Sequence, residues 1–77
     1  MKKDEIGEIA GRIWRTLGEK EKVRVSQLPV ILKLKSDIVY QSLGWLAREN
    51  KINYNIKGSQ TYVSLVDSEI EIFRSLL

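Results

Sequence analysis

The side chains best suited to bind a ligand lie in the middle of the chain, on a segment whose apolar residues recur at helical spacing. Tyr40, Gln41 and Arg48 fall on the outward side of that predicted helix. Glutamine and arginine side chains can each form two hydrogen bonds to one base edge, and arginine also pairs with phosphate. These residues therefore have the chemistry for nucleic-acid contacts, and they are equally typical of solvated helix surface.

Four lysines flank this helix and the hairpin predicted after it. One of them, Lys57, adjoins Gly58 and Ser59, whose main-chain N–H groups can approach phosphates. A Gly-Ser pair also serves the geometry of a tight turn without any ligand. The predicted DNA-binding residues are Lys33, Lys35, Tyr40, Gln41, Arg48, Lys51, Lys57 and Ser59.

The net charge of +3 is distributed unevenly along the chain. Between Lys20 and Lys57, eight basic residues face three acidic ones, whereas the tail beyond Lys57 has one base and three acids. A basic middle segment suits a polyanion, although a charge run is also ordinary solvated surface. The predicted helix itself is weakly charged, because Asp37 and Glu49 accompany its single base, Arg48.

Composition excludes several kinds of chemistry. The chain has no cysteine and no histidine, so thiolate or imidazole metal sites, disulfides and the usual nucleophile–base pairs are not available. Ser26, Ser36 and Ser68 are predicted helix caps, and no glycine-rich phosphate loop is present. No apolar run reaches the roughly 20 residues that span a bilayer. We therefore expect a cytoplasmic non-enzyme without cofactor, metal or membrane partner.

Apolar spacing predicts three helices in the first 50 residues. The first has an apolar face from Ile6 to Leu17, and Gly18 is placed to stop it. The segment 23–25 alternates and predicts one short β-bridge. The second helix is predicted over residues 27–34 with Ser26 as its cap.

The third predicted helix begins at a cap, Ser36, and ends where Asn50 can adopt a left-handed conformation. Its predicted inward residues are Ile38, Val39, Leu43 and Leu46. Trp14 on the first helix and Trp45 on this one are predicted to be core or subunit-interface residues rather than exposed stacking platforms.

After Asn50 the spacing changes to the alternation of a β-hairpin. With residues 57–60 as the loop, the predicted cross-strand pairs are Ile56 with Thr61, Tyr54 with Val63, and Ile52 with Leu65. This register would turn one apolar face of the whole hairpin toward the helices. In the tail, Ser68 and Glu71 fit a capping box. The face predicted for that helix consists of Ile70, Phe73, Leu76 and Leu77.

This order of elements predicts one domain over residues 1–77, of the α+β class, with a three-helix core, a β-hairpin wing and a short C-terminal helix. The segment Gln41-Ser42-Leu43-Gly44-Trp45-Leu46-Ala47-Arg48-Glu49-Asn50-Lys51-Ile52, with Ile6-Gly7 and Ile13-Trp14 upstream, resembles the small stand-alone prokaryotic winged helix-turn-helix proteins of unassigned function. The resemblance covers nearly the whole chain. It implies a winged helix-turn-helix fold and a general expectation of DNA binding.

Two functions remain open at this point. In one, the protein is a DNA-binding regulator that binds double-stranded DNA as a homodimer. In the other, it is a protein-interaction or dimerisation module on the same scaffold. The tail is too apolar for a free end, and the predicted dimer interface is Ile70, Ile72, Phe73, Leu76 and Leu77.

Overall fold

In the computed structural model, which describes residues 3–77, four α-helices pack against a three-stranded antiparallel sheet. The elements in chain order are α1 (Lys3–Lys20), β1 (Lys22–Arg24), a 3-10 turn (Val25–Gln27), α2 (Leu28–Leu32), α3 (Ser36–Arg48), β2 (Ile52–Lys57), β3 (Gln60–Leu65) and α4 (Asp67–Ser75). This order confirms the predicted winged helix-turn-helix class.

The core lies where α1 and α3 cross in front of the sheet. Its fully buried side chains come from helices and strands alike: Ile13, Leu17, Leu28, Val39, Leu43, Leu46 and Val63. The predicted inward residues of α3 are confirmed, since Ile38 is half-buried and the other three are buried. Helical periodicity therefore turns the opposite side of α3 toward solvent.

The hairpin register is the one predicted from apolar alternation. The pairs Ile52 with Leu65, Tyr54 with Val63, and Ile56 with Thr61 are all present. Pairing continues to Lys57 and Gln60, so the loop shortens to a two-residue turn in which Gly58 has a φ of 61°. The short segment after α1 becomes β1 and pairs with β3, which gives the strand order β1-β3-β2.

The outer half of the hairpin does not pack on the helices, and here the prediction of one continuous buried face is wrong. Ile52, Val63 and Leu65 are buried, whereas Tyr54 is half exposed and Ile56 is 71% exposed. The hairpin extends beyond the helical layer, so correct alternation does not bring these two side chains into the core.

Helix α1 does not stop at Gly18 as predicted. It continues to Lys20, and Glu21 ends it in a left-handed conformation, with the Glu21 N–H donating to the Leu17 carbonyl at 2.8 Å. Gly18 instead permits the close approach of α4, because a Cβ at this position would overlap the ring of Phe73.

The second helix is shorter than predicted, and Ser26 is not its cap. Ser26 lies inside the 3-10 turn, and α2 ends at Leu32 because Lys33 adopts a left-handed φ of 57°. The Leu34 N–H then donates to the Pro29 carbonyl at 3.1 Å. This Schellman-type ending reverses the chain and brings Leu34 back onto the core.

The predicted caps of the last two helices are also wrong. Ser36 is the first residue of α3, where the carboxylate of Asp37 accepts the Ile38 N–H at 2.8 Å. Ser68 lies within α4, which begins after Val66 without a side-chain cap. Asn50 does adopt the predicted left-handed conformation, with a φ of 57°.

The C-terminal helix places only part of its predicted apolar face against the core. Phe73 is buried and Ile70 packs on the core, but α4 ends at Ser75, so Leu76 and Leu77 lie beyond it and are exposed. Within residues 3–77 we find no helix of the length and apolarity that crossing a membrane requires.

Candidate nucleic-acid interface

The outward side of α3 carries the predicted base-reading residues. Tyr40, Gln41 and Arg48 are exposed, as predicted, and Gly44 leaves open space between Gln41 and Arg48. Behind them, the buried Ser42 hydroxyl donates to the Ile38 carbonyl at 2.8 Å. The helix therefore presents an amide and a guanidinium on one accessible side, with the buried polar group at its back satisfied internally.

The helix has no excess of positive charge. Asp37 occupies its first turn and Arg48 its last, so the formal charges of α3 cancel, and Glu49 follows directly. Asp37 favours the positive end of the helix dipole, as Arg48 favours the negative end. The formal charges of α3 would therefore give it no net attraction for a polyanion.

The turn between α2 and α3 presents two lysines. Lys33 and Lys35 are exposed, and Lys33 holds the left-handed position that ends α2. The Arg12 guanidinium donates to the Leu32 carbonyl at 3.1 Å, which fastens the end of α2 to α1. This bond holds the turn, and with it both lysines, in a defined place.

The wing turn and α3 line a common cleft of about 230 Å³. Tyr40 contributes from α3 and Ser59 from the wing turn, so two predicted site residues come together here. Arg24 from β1 also lines this cleft, and the prediction from sequence missed it. The available signal was the alternation of Lys22-Val23-Arg24 around a buried valine, which places both bases on one side of the strand.

Lys57 lies at the end of β2, next to the wing turn, and it is exposed together with Asn53 and Asn55 on the same side of that strand. On the other side of the same strand, Tyr54 and Ile56 are accessible apolar residues. Partial burial raises the pKa of the Tyr54 hydroxyl above its ordinary value, because removal from water disfavours the charged phenolate.

Lys51 is less available to this surface, because its side chain forms an ion pair. Its ammonium lies 3.2 Å from a carboxylate oxygen of Glu69. The same oxygen of Glu69 accepts the indole N–H of Trp14 at 2.9 Å. Glu69 is buried and joins α1, α4 and the start of the wing, so Lys51 is engaged in holding the fold together.

The predicted dimer interface separates into two groups. Phe73 is only 8% exposed and packs edge to face against Trp14, with ring centroids 5.6 Å apart, and Ile70 also contacts the core. Ile72, Leu76 and Leu77 are accessible, the last at 89%.

A groove of about 290 Å³ lies beside Ile72, between α1, α3 and α4. Gly7, Gly11 and Trp14 line it on α1, and Trp45, 41% exposed, lines it on α3. The glycines leave α1 without side chains at this point, and a Cβ built on either would lie more than 4 Å from every atom outside the adjoining backbone of α1. The apolar surface that remains accessible therefore continues from α4 into this groove.

Comparison with known proteins gives one curated relative and several structural neighbours. The chain is 48% identical over 50 residues to the uncharacterized protein MJ1608 of Methanocaldococcus jannaschii, covering 61% of this chain and 70% of that protein. The transcriptional regulator HlyU of Vibrio vulnificus is 21% identical, with a TM-score of 0.78 over 90% of this chain and 72% of HlyU.

Two further solved structures share the fold. Lactococcus lactis ZitR has a TM-score of 0.80 at 14% identity, over 95% of this chain and 57% of ZitR. MepR, a transcription regulator of the Staphylococcus aureus multidrug efflux pump MepA, has a TM-score of 0.65 at 20% identity, over 94% of this chain and 55% of MepR. At these identities the likeness is one of fold.

The sequence match to a family covers more of the chain than the match to the curated relative does. Residues 1–65 match the family described as "Winged helix-turn-helix domain (DUF2582)", which spans α1 through β3. The chain belongs to this winged helix-turn-helix family.

Proposed function

We propose that the protein is a DNA-binding regulator of transcription that inserts α3 into the major groove of double-stranded DNA. The observation that carries the proposal is the accessible side of α3, which exposes Gln41 and Arg48 and whose Tyr40 shares a cleft with the wing residue Ser59. A single DNA duplex can contact both the helix and the wing on such a surface. HlyU and MepR, which share the fold, are both described as transcription regulators.

The proposed contacts divide into two kinds. Gln41 and Arg48 read base edges, because amide and guanidinium groups form paired hydrogen bonds there. Lys33, Lys35 and Lys57 contact phosphates, which fix the position of the protein but carry no sequence information directly. Lys51 contributes least, because Glu69 already pairs with its ammonium.

The proposed assembly is a homodimer in the cytoplasm. A symmetric dimer places two α3 helices in successive major grooves of a site with two-fold symmetry. The accessible apolar residues Ile72, Leu76 and Leu77 support self-association, because side chains of this type rarely remain together on a monomer surface without a partner.

A salt titration on mixed-sequence duplex DNA tests the proposal. We expect binding near 50 mM salt that weakens steeply as salt rises. Lys35→Gln and Lys57→Gln should weaken binding to every duplex and lower the salt slope by about 0.9 for each phosphate contact that the substitution removes. Arg48→Gln and Gln41→Ala should instead change sequence preference by about 1–3 kcal/mol. If the wild-type protein binds no duplex near 50 mM salt, the proposal is wrong.

A protein-interaction module is the second candidate, and the groove between α1, α3 and α4 favours it. Trp45 is large, aromatic and accessible there, and tryptophan is enriched among residues that dominate protein interfaces. Absence of duplex binding together with a Trp45-dependent protein complex would support this function in place of DNA binding.

A further inference from the structure

The strand register divides the side chains of the sheet into two faces of opposite character. Val23 pairs with Val63, and both are buried on the face toward the helices. Because side chains alternate along each strand, the neighbours of these valines share the other face. This polar sheet face consists of Lys22, Arg24, Asn53, Asn55, Lys57, Gln60, Tyr62 and Ser64.

The polar sheet face carries positive charge that nothing within the sheet offsets. It holds three cations, and none of the residues in the three described strands is acidic. The formal charges of α3, in contrast, cancel. Glu21 precedes β1 and lies beside Lys22 in sequence, so Arg24 and Lys57 are the cations farther from a carboxylate along the chain.

The remaining side chains of this face are hydrogen-bonding groups suited to phosphate oxygens. Asn53, Asn55 and Gln60 provide amide N–H groups, and Ser64 provides a hydroxyl. The ammonium of Lys22 lies 5.3 Å from the ring centroid of Tyr62, a cation–π contact that holds this lysine over the sheet. With a strand spacing of about 4.8 Å, β1 and β2 lie about 10 Å apart across β3, so the face is a broad surface.

This surface is continuous with the proposed DNA interface. Lys57 and Gln60 form its edge at the wing turn. Arg24 belongs to it and also lines the cleft that Tyr40 and Ser59 share. Arg24, Lys57 and Gln60 therefore place the polar sheet face directly beside the wing turn.

We propose that the polar sheet face is a phosphodiester-binding surface, on which Lys22 and Arg24 contact the DNA backbone flanking the wing. This inference rests on the proposed DNA-binding function and names residues that the sequence analysis did not. It adds Lys22 and Arg24 to the phosphate contacts proposed for Lys33, Lys35 and Lys57, while α3 supplies the contacts that read sequence.

The test compares a variant that lacks two positive charges of this face with a control variant that lacks two positive charges elsewhere. Lys22→Gln/Arg24→Gln is compared with Arg15→Gln/Arg74→Gln, which removes the same charge from exposed positions on α1 and α4. Affinity for a mixed-sequence duplex is measured from 50 to 200 mM salt, and thermal melting by circular dichroism verifies that each variant folds.

We expect the sheet variant to bind every duplex more weakly, with a salt slope lower by about 1.8, the value for the removal of two phosphate contacts. The control should keep the wild-type slope. If both variants behave alike while the wild-type protein binds DNA, the sheet face is not a contact surface, and the proposed function stands without it. If the wild-type protein binds no duplex, the inference and the proposed function are both wrong.

Discussion

Two residues in this protein have structural roles that their residue type alone does not indicate. Gly18 resembles a helix terminator in sequence, yet it lies within α1 and makes room for the ring of Phe73. Glu69 resembles a surface carboxylate, yet it is buried and joins Trp14 to Lys51. In both cases the decisive contact comes from an element distant in sequence.

Gly18→Ala should destabilise the protein by about 1–3 kcal/mol, because the new methyl group must displace the ring of Phe73 in a packed region. Gly11→Ala is the matched control, since its Cβ would meet nothing within 4 Å beyond the adjoining backbone of α1. Because glycine destabilises a helix interior relative to alanine, Gly11→Ala should stabilise the fold by roughly 0.5–1 kcal/mol. Urea unfolding measures both, and equal stabilities would show that α4 does not pack as described.

Glu69→Leu should lower the free energy of unfolding by about 1–3 kcal/mol, because the indole N–H of Trp14 and the ammonium of Lys51 lose their common acceptor. Glu71→Leu on the exposed side of α4 serves as the control and should change stability by no more than about 0.5 kcal/mol. Denaturant unfolding monitored by circular dichroism compares the two. An equal decrease in both variants would contradict the buried role of Glu69.

Among the elements, the hairpin shows that strand register and side-chain burial are determined by different features of the structure. The alternation of apolar residues specifies the register, because a shift by one residue would exchange the two faces. It does not specify how far the strands extend past the helices, and Ile56 is exposed for that reason.

Val63→Asp should destabilise the domain by several kcal/mol, because this side chain is fully buried between β1 and β2 and a carboxylate there has no partner. Ser64→Asp places the same charge one residue later, on the polar sheet face opposite Lys22, and should be tolerated. Thermal melting distinguishes them. An unchanged melting temperature for Val63→Asp would exclude this register.

For the molecule as a whole, the distribution of accessible apolar surface predicts self-association. A stable interface buries about 800 Å² on each partner, and the total surface is 5383 Å². Three aliphatic side chains at the C-terminus do not supply such an area, so the interface of the proposed dimer would also include the groove beside Trp45.

Sedimentation should therefore show a dimer at high micromolar concentration, and Leu76→Ser/Leu77→Ser should shift it toward monomer. Val30→Ser changes a similarly exposed aliphatic residue on α2 and should leave the dimer intact. A wild-type protein that sediments as a monomer at these concentrations would exclude the proposed dimer.

Periodicity alone is enough to predict the order of the main helices and strands, the hairpin register and the accessible side of α3. These features depend on local spacing, since an apolar residue every three to four positions or every second position specifies which side of an element is buried. The exposure of Lys33, Lys35, Gln41 and Arg48 is therefore predictable from the sequence by itself.

Helix ends, the partner of Lys51 and the membership of β1 in the sheet depend on tertiary contacts. Ser26, Ser36 and Ser68 all have the chemistry of caps, but none occupies a cap position, since Ser26 lies in the 3-10 turn and the other two lie within their helices. Arg24 joins the candidate interface only because β1 pairs with β3, about 40 residues later in the chain. A three-residue strand has too little local signal to specify its partner, and burial of Val23 against Val63 supplies the missing specificity.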